Sequence, residues 1–466
     1  MKTPLRQRSG FQMAMVIMAL AWPTMLEQLM QTAVQYIDTA MVGALGTQAT
    51  AAVGATTTVN WLIGSTISAL GVGFLALIAK AYGANDRELA CKASGQAVFA
   101  TLVCGVVFTV LTVGLSGMIP KWMQVDSAIQ PLASQYFLIM YLPMLPRTAT
   151  IIFGTVLRAA GDTKTPMKVG IVINVINVIL NFLLIYPTRV VSLLGFTFTM
   201  YGAGWGVVGA AAASALAFTV GGIHITWVLF RHPEISPKHE KIRPDMAILR
   251  PCLRTALPNM LQRFATSLGY VAFASMINAL GDVSTAAHTI ANTVESAFYI
   301  PGYGMQTAAA TLAGNAYGAR DQKKMKELAA MFLPIEIGLM VISSAALFFT
   351  ARPLVGIFSS SKEVIDLGTT VLQMVAVSEP FFGFSIIVEG LLLGVGNTRT
   401  PFMYNLLGMW GIRIMGTFIC THFLHMGLVA AWACMILHNL LLFVLFLGCY
   451  RTGKWNPLAK ECPVEK

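Results

Sequence analysis

Three observations predict an all-α membrane protein of twelve transmembrane helices in two six-helix lobes related by a parallel internal repeat. The first is composition: the 466 residues are 56% hydrophobic and 11% charged, with a mean hydropathy of +0.70, whereas an ordinary soluble domain is about 25% charged. The second is the length of the charge-free runs. Lys92 to Lys121, Lys168 to Arg189 and Arg413 to Arg451 each enclose at least the roughly 20 apolar residues that one span requires. The third is a repeat held at one offset.

Gly, Pro and charge punctuation divides the chain into helices at roughly 11–43, 49–80, 91–117, 131–157, 166–187, 203–230, 248–281, 285–316, 326–349, 366–394, 401–421 and 425–450. The basic stretch "RHPEISPKHEKIRPDMAILR" separates two halves, giving a first lobe over 1–230, a linker over 231–250 and a second lobe over 251–466. The N-terminal basic residues followed by an apolar run imitate a signal peptide, but the run is too long and is the first of many, so no cleavage is expected.

The net charge of +11 raises the question of nucleic acid, and the placement of the charge answers it. With the N-terminus inside and the loops alternating, only Lys121, Arg189, Arg352 and Lys362 of the 31 Lys and Arg fall outside. Arg147, Arg263 and Arg413 fall within spans, and the rest lie on the inner side. This positive-inside asymmetry predicts a multi-pass plasma-membrane protein with both termini and the linker in the cytoplasm, and no nucleic-acid partner.

The repeat justifies the two lobes. "AWPTML" at 21 recurs as "ALPNML" at 256, "ALGTQATAA" at 44 as "ALGDVSTAA" at 279, "AYGANDR" at 81 as "AYGARDQ" at 316, and "AAGDTKTP" at 159 as "GVGNTRTP" at 394, every pair 235 residues apart. Six helices per unit return the chain to the same side, so the repeats are parallel, as in carriers whose halves rock about a central site. The register shifts only near the end, where "GVVGAAA" at 206 matches "GLVAAWA" at 427, leaving extra residues around "RVVSLLGFTFTM" in the first lobe's outer loop.

Within this apolar background the intramembrane charges are the candidates for function. Asp38 stands in "QTAVQYIDTAMVG"; an aspartate at the centre of a span costs about 2.5–3.5 kcal/mol on insertion scales. Glu27, Gln31, Gln35 and Asp38 recur at helical spacing and form one polar stripe, which predicts a face turned to protein or water. Asp38 maps to Phe273, so the acid belongs to one lobe only. Such a carboxylate can exchange a proton or a monovalent cation as its surroundings change, or can tie helices together as a protonated acid. Pro23 lies in the same helix and removes one backbone donor; both a bend coupled to Asp38 and a static kink are open. The fifth helix offers Asn174, Asn177 and Asn181, the last two on one face.

The second lobe carries His288, Asn292 and Glu295 at spacings of four and three, opposite Val53, Thr57 and Asn60. These residues fit either a proton relay or a buried structural set. Glu389 replaces Gly154 of the first lobe, toward the inner end. Arg263 and Arg413 are positioned to neutralise some of these acids. Glu336 and Glu379 belong to no stripe.

Other motifs carry no chemistry. "GAGWGVVG" contains GxGxxG but opens a membrane helix with no strand before it, so it reads as small-residue packing. The seven cysteines show no CxxC spacing and read as small apolar residues. No P-loop, metal spacing or catalytic set is present, so no enzyme activity and no cofactor are expected, and any pumping must draw on an ion gradient.

The stretch "WPTMLEQLMQTAVQYIDTAMVGALG", the "AAVGATTTV" that follows, "AYGAND" and "LRAAGDTKTP" with their second-lobe echoes together resemble the multidrug and toxic compound extrusion (MATE) family, across about residues 10 to 450. The resemblance implies two lobes forming a V in a bacterial inner membrane. It implies a monomer exporting small organic cations in antiport with H⁺ or Na⁺, with membrane lipid around it. It assigns Asp38 as the essential first-helix aspartate, with Gln31, Asn177, Asn181 and Ser214 at the companion positions of one prokaryotic branch. A Na⁺ would there sit at Asp38, Asn177 and Asn181. The sequence departs from the family twice: Asn181 stands where that branch can have a second aspartate, and no acid occurs between Asp245 and Asp282, where another branch uses one. A lipid-linked oligosaccharide flippase and a non-transporting membrane scaffold are the alternative functions; the first requires several cavity cations for a pyrophosphate, the second no ion gradient.

Overall fold

The computed structural model describes residues 10–122, 126–193 and 196–461. The first half runs through α1 (Gly10–Gly43), α2 (Thr47–Gly83), α3 (Arg87–Leu115), a short α4 (Ile119–Trp122), α5 (Gln130–Tyr141), α6 (Met144–Ala159), α7 (Lys164–Leu184), the strands β1 (Pro187–Leu193) and β2 (Phe196–Ala203), and α8 (Gly206–Arg231). The second half repeats the order without the strands: α9 (Met246–Asn278), α10 (Asp282–Gly318), α11 (Gln322–Phe358), α12 (Lys362–Ala376), α13 (Glu379–Gly394), α14 (Arg399–Leu406), α15 (Met415–Phe418), α16 (Leu428–Arg451) and a short α17 (Leu458–Glu461). Among the described residues eight helices are long and apolar enough to cross a membrane, and up to ten spans result when each of two bent pairs counts as one. The remaining two predicted segments are α9 and α10, 33 and 37 residues long and therefore ample in length at 1.5 Å per residue.

Two predicted helices prove to be broken. α5 and α6 meet at 52°, and α12 and α13 at 51°. Pro143 cannot donate to Ile139 and Pro380 cannot donate to Ala376, so each ladder loses a bond at the joint. The predicted helix at 401–421 contains π-helical stretches over Leu407–Ile414 and Ile419–Phe423. The extra outer-loop residues of the first lobe form an antiparallel hairpin of β1 with β2.

The backbone carries the repeat more strictly than the side chains do. Several left-handed φ values fall in matched pairs: Gly46 and Gly281 (114° and 103°), Asn85 and Arg320 (55° and 51°), Gly161 and Gly396 (84° and 82°). Asp86 accepts from the Leu89 N–H to cap α3, and Asp321 accepts from the Lys324 N–H to cap α11 at the matched position.

The lobes interlock at one end and part at the other. The N-terminal half of α1 (Met13, Ile17, Ala21) is buried among residues of α10, α11, α13 and α16, while Ile248, Cys252 and Ala256 of α9 are buried in the core of the first lobe. Backbones touch where α2 and α10 cross: a Cβ on Gly83 would lie 1.9 Å from the Asn315 carbonyl oxygen, and one on Gly318 1.9 Å from that of Lys80. At the opposite end the buried clusters are confined to single lobes, Met41, Tyr136 and Ile185 in one, Phe273, Leu347 and Trp432 in the other. Gln31, Gln35 and Ile37 of α1 are exposed there. The cleft therefore opens away from the linker.

Candidate cation site in the first lobe

Asp38 lies in the part of α1 that leaves the second lobe and packs on α7. There the two asparagines of one α7 face become a relay. The Asn181 amide donates to Asp38 Oδ1 at 2.5 Å and to Asn177 Oδ1 at 3.1 Å, and the Asn177 amide donates to Ser214 Oγ of α8 at 2.9 Å. Asn181, Asn177 and Ser214 are 0%, 5% and 8% exposed, so the hydrogen-bonded chain leads from the half-buried carboxyl into the lobe. Asn181 Oδ1 is buried without a hydrogen-bond partner, an orphan acceptor one side chain from the acid. A lone pair that burial has stripped of water is an unmet demand for a cation or a proton. Oxygen donors are also the ligand set suited to a hard monovalent ion.

The predicted stripe on α1 divides here. Glu27 does not join Asp38; its carboxylate meets the Arg158 guanidinium of α6 at 3.3 Å, with both side chains mostly buried. Gln31 and Gln35 stand exposed on the cleft side. The cause is length: Glu27 and Asp38 are three helical turns apart, about 16 Å along the axis, so periodicity gave a shared face without a shared site. Pro23 is buried in the interlocked half and α1 runs helical through it. The neighbouring Thr24 hydroxyl donates to the Gly304 carbonyl of α10 at 3.1 Å.

The second-lobe candidates also fall apart into separate places. Glu389 accepts from the Gln262 amide at 2.8 Å and from Asn405 at 3.5 Å. Glu295 instead stands beside Glu379 of α13, the two side chains 5% and 2% exposed. His288 packs edge-on against Phe273 and Trp432, with ring centroids 5.6 and 5.8 Å away, and Asn292 is exposed. Sequence reasoning passed over Glu379, because its partner sits on another helix and no single-helix spacing reveals such a pair. The only signal was an acid within an apolar span. Arg413, 4% exposed, lies over the rings of Phe273 (4.2 Å) and Tyr270 (4.9 Å). Its first-lobe counterpart in role is Arg147, which donates to Asn60 Oδ1 at 2.5 Å beside the Tyr141 hydroxyl at 2.9 Å. Among the described residues no group of three or more His, Cys, Asp or Glu gathers as a metal site.

The relatives of this chain share its plan from end to end. It is 27% identical over 443 residues to a probable multidrug resistance protein NorM of Thermotoga maritima, covering 95% of this chain and 93% of that one. Among solved structures it superposes on a MATE protein in complex with MaL6 (TM-score 0.88, 23% identity, 96% of this chain and 97% of that one). It also superposes on an outward-facing MATE family transporter of the MOP superfamily (TM-score 0.85, 22% identity, 96% and 97%). The MatE family profile matches twice, over residues 23–183 and 258–419, once in each lobe of the repeat. Two such matches, spanning more than half of the sequence and falling on the duplicated helices, establish that this multi-pass membrane protein belongs to the MatE family.

Proposed function

We propose that the chain is a multidrug efflux transporter that expels small organic cations in exchange for H⁺ or Na⁺, working as a monomer by alternating access. The observation that carries this reading is the Asp38–Asn181–Asn177–Ser214 chain at the wall of a cleft open at one end. A relative named as a probable multidrug resistance protein supports it. When the cleft faces the linker side, ionised Asp38 attracts a lipophilic cation, and apolar walls supply contact area. When the lobes rock to the arrangement described above, a proton or Na⁺ taken up at Asp38 and the Asn181 and Asn177 oxygens removes the counter-charge, and the organic cation leaves. Antiport follows if the unloaded carrier crosses slowly. The linker end is the cytoplasmic end in this scheme, as its basic loops require.

Two of the three arginines within the spans are already engaged, which does not favour a pyrophosphate-carrying flippase. Arg147 is committed to Asn60 and to the Tyr141 and Phe218 rings, and Arg413 to Phe273 and Tyr270. The test is efflux of a dye cation from proteoliposomes under an imposed Na⁺ gradient at constant pH, then under a pH gradient without Na⁺. One of the two should drive wild-type efflux, and Asp38→Asn should abolish it; wild-type efflux by Asp38→Asn overturns the proposal.

A further inference from the structure

The linker end holds a cavity of about 760 Å³ that the transport cycle leaves unused, walled by the start of α3, the end of α8 and the linker that follows α8. Its linker wall is built in. The Arg87 guanidinium donates to the Pro233 carbonyl; the Gln96 amide donates to the Arg243 carbonyl at 2.7 Å and accepts from the Asp245 N–H at 3.0 Å.

The cavity is basic on balance. Arg87, Arg231 and Lys238 line it against Glu88 and Glu240, an excess of one cation; Lys92 beside it engages Glu88 at 2.6 Å, and Asp162 and Glu234 stand near the lining His232. Burial holds the His232 imidazole below its ordinary range, so it adds no charge at neutral pH. Beyond this cavity α8 exposes Trp227 and Ile223 about one and two turns before Arg231, and α3 exposes Leu102 and Val106 about three and four turns past Cys91. The Arg231 guanidinium stacks 4.4 Å over the Trp227 ring, the pairing of aromatic anchor and cation found where headgroups meet acyl chains.

We propose that this cavity seats the phosphate headgroup of an anionic phospholipid, whose acyl chains lie along the exposed apolar residues of α3 and α8. Its volume falls in the range that holds small-molecule ligands, and basic pockets between helices at a membrane surface select anionic headgroups. Free phosphate shares the headgroup's chemistry, but the apolar strip continuing from the cavity has no use for it.

The full-length protein is reconstituted in phosphatidylcholine vesicles carrying equal fractions of brominated phosphatidylglycerol or brominated phosphatidylcholine. Quenching of Trp227 is read as the difference between wild type and Trp227→Phe. The lipid site predicts a roughly tenfold preference for the anionic lipid at Trp227. The preference should be lost in Arg231→Gln/Lys238→Ala, while quenching by brominated phosphatidylcholine stays unchanged as the control for folding. Equal quenching by the two lipids in the wild type overturns the proposal, as does a preference that survives the double variant. Relief of quenching by inorganic phosphate at unchanged ionic strength marks a free-anion site and overturns it as well.

Discussion

The two lobes share one backbone, yet at matched places one holds a charged side chain and the other a neutral one. Where the first lobe carries Asp38, hydrogen-bonded by Asn181, the second carries Phe273 with the Arg413 guanidinium 4.2 Å from its ring. Where the first carries Asn60, held by Arg147 of α6, the second carries Glu295, attracted by Arg413 from the π-helical stretch. Toward the linker end the exchange is again reciprocal: Glu27 meets Arg158, while Gln262 at the position matching Glu27 meets Glu389. Duplication thus determines where a polar group can be held between helices, and side-chain choice decides its charge. Among the described residues Asp38 is a half-buried acid at the open end of the first lobe, whereas in the second lobe Glu295 stands beside Glu379, Glu389 accepts from amides, and Glu336 is buried with neither oxygen hydrogen-bonded.

Four experiments sharpen or break this comparison. Exchanging the matched pair, Asp38→Phe with Phe273→Asp, should lower gradient-driven dye efflux by about 100-fold or more, because the transferred acid meets Arg413 and loses its asparagine relay. Efflux at the wild-type rate would show the lobes to be interchangeable. Next come the two arginines. Arg413→Ala takes the buried guanidinium from the Phe273 and Tyr270 rings and leaves buried Glu295 without a nearby cation, and should cost about 3–5 kcal/mol in thermal unfolding in detergent. Arg147→Ala removes hydrogen bonds to a neutral amide and should cost about 1.5–3 kcal/mol. Equal losses would remove the asymmetry inferred between the lobes.

The glycine crossing is where the lobes should behave alike. A side chain at Gly83 or Gly318 meets the opposite backbone, so Gly83→Val and Gly318→Val should each destabilise the interlocked end by about 1–3 kcal/mol. Labelling of a cysteine introduced at the linker end should rise to similar extents in the two variants. The smallest effect on transport is expected for Glu27→Gln. It leaves the mostly buried Arg158 guanidinium facing a neutral amide and should cost about 1.5–3 kcal/mol of stability with dye efflux retained; abolished efflux would return Glu27 to the transport site.

The sequence showed the bilayer-spanning plan and the duplication, because both rest on properties that survive without coordinates: charge density, run length and a fixed offset. It also drew attention to Asp38, Asn177 and Asn181, since polar residues in an apolar helix are conspicuous and i to i+4 spacing defines a face. It could not show that α5 and α6, or α12 and α13, bend by about half a right angle, because Pro143 and Pro380 license a break without setting its angle. The stripe from Glu27 to Asp38 was legible, but its division between an ion pair and a relay was not, since spacing along one helix says nothing of what the neighbouring helices bring.

By itself, then, the sequence determined which segments enter the membrane, that they come as two parallel sets of six, and that one set alone carries the first-helix acid. Hydropathy and periodicity are properties of single helices, and those helices keep them wherever they pack. Tertiary structure alone decided that Asn181 reaches Asp38, that Arg158 takes Glu27, that Glu379 finds Glu295, and that the cleft opens away from the linker. Each of those outcomes depends on distances between helices, and these are set by which side chains interlock when the lobes meet.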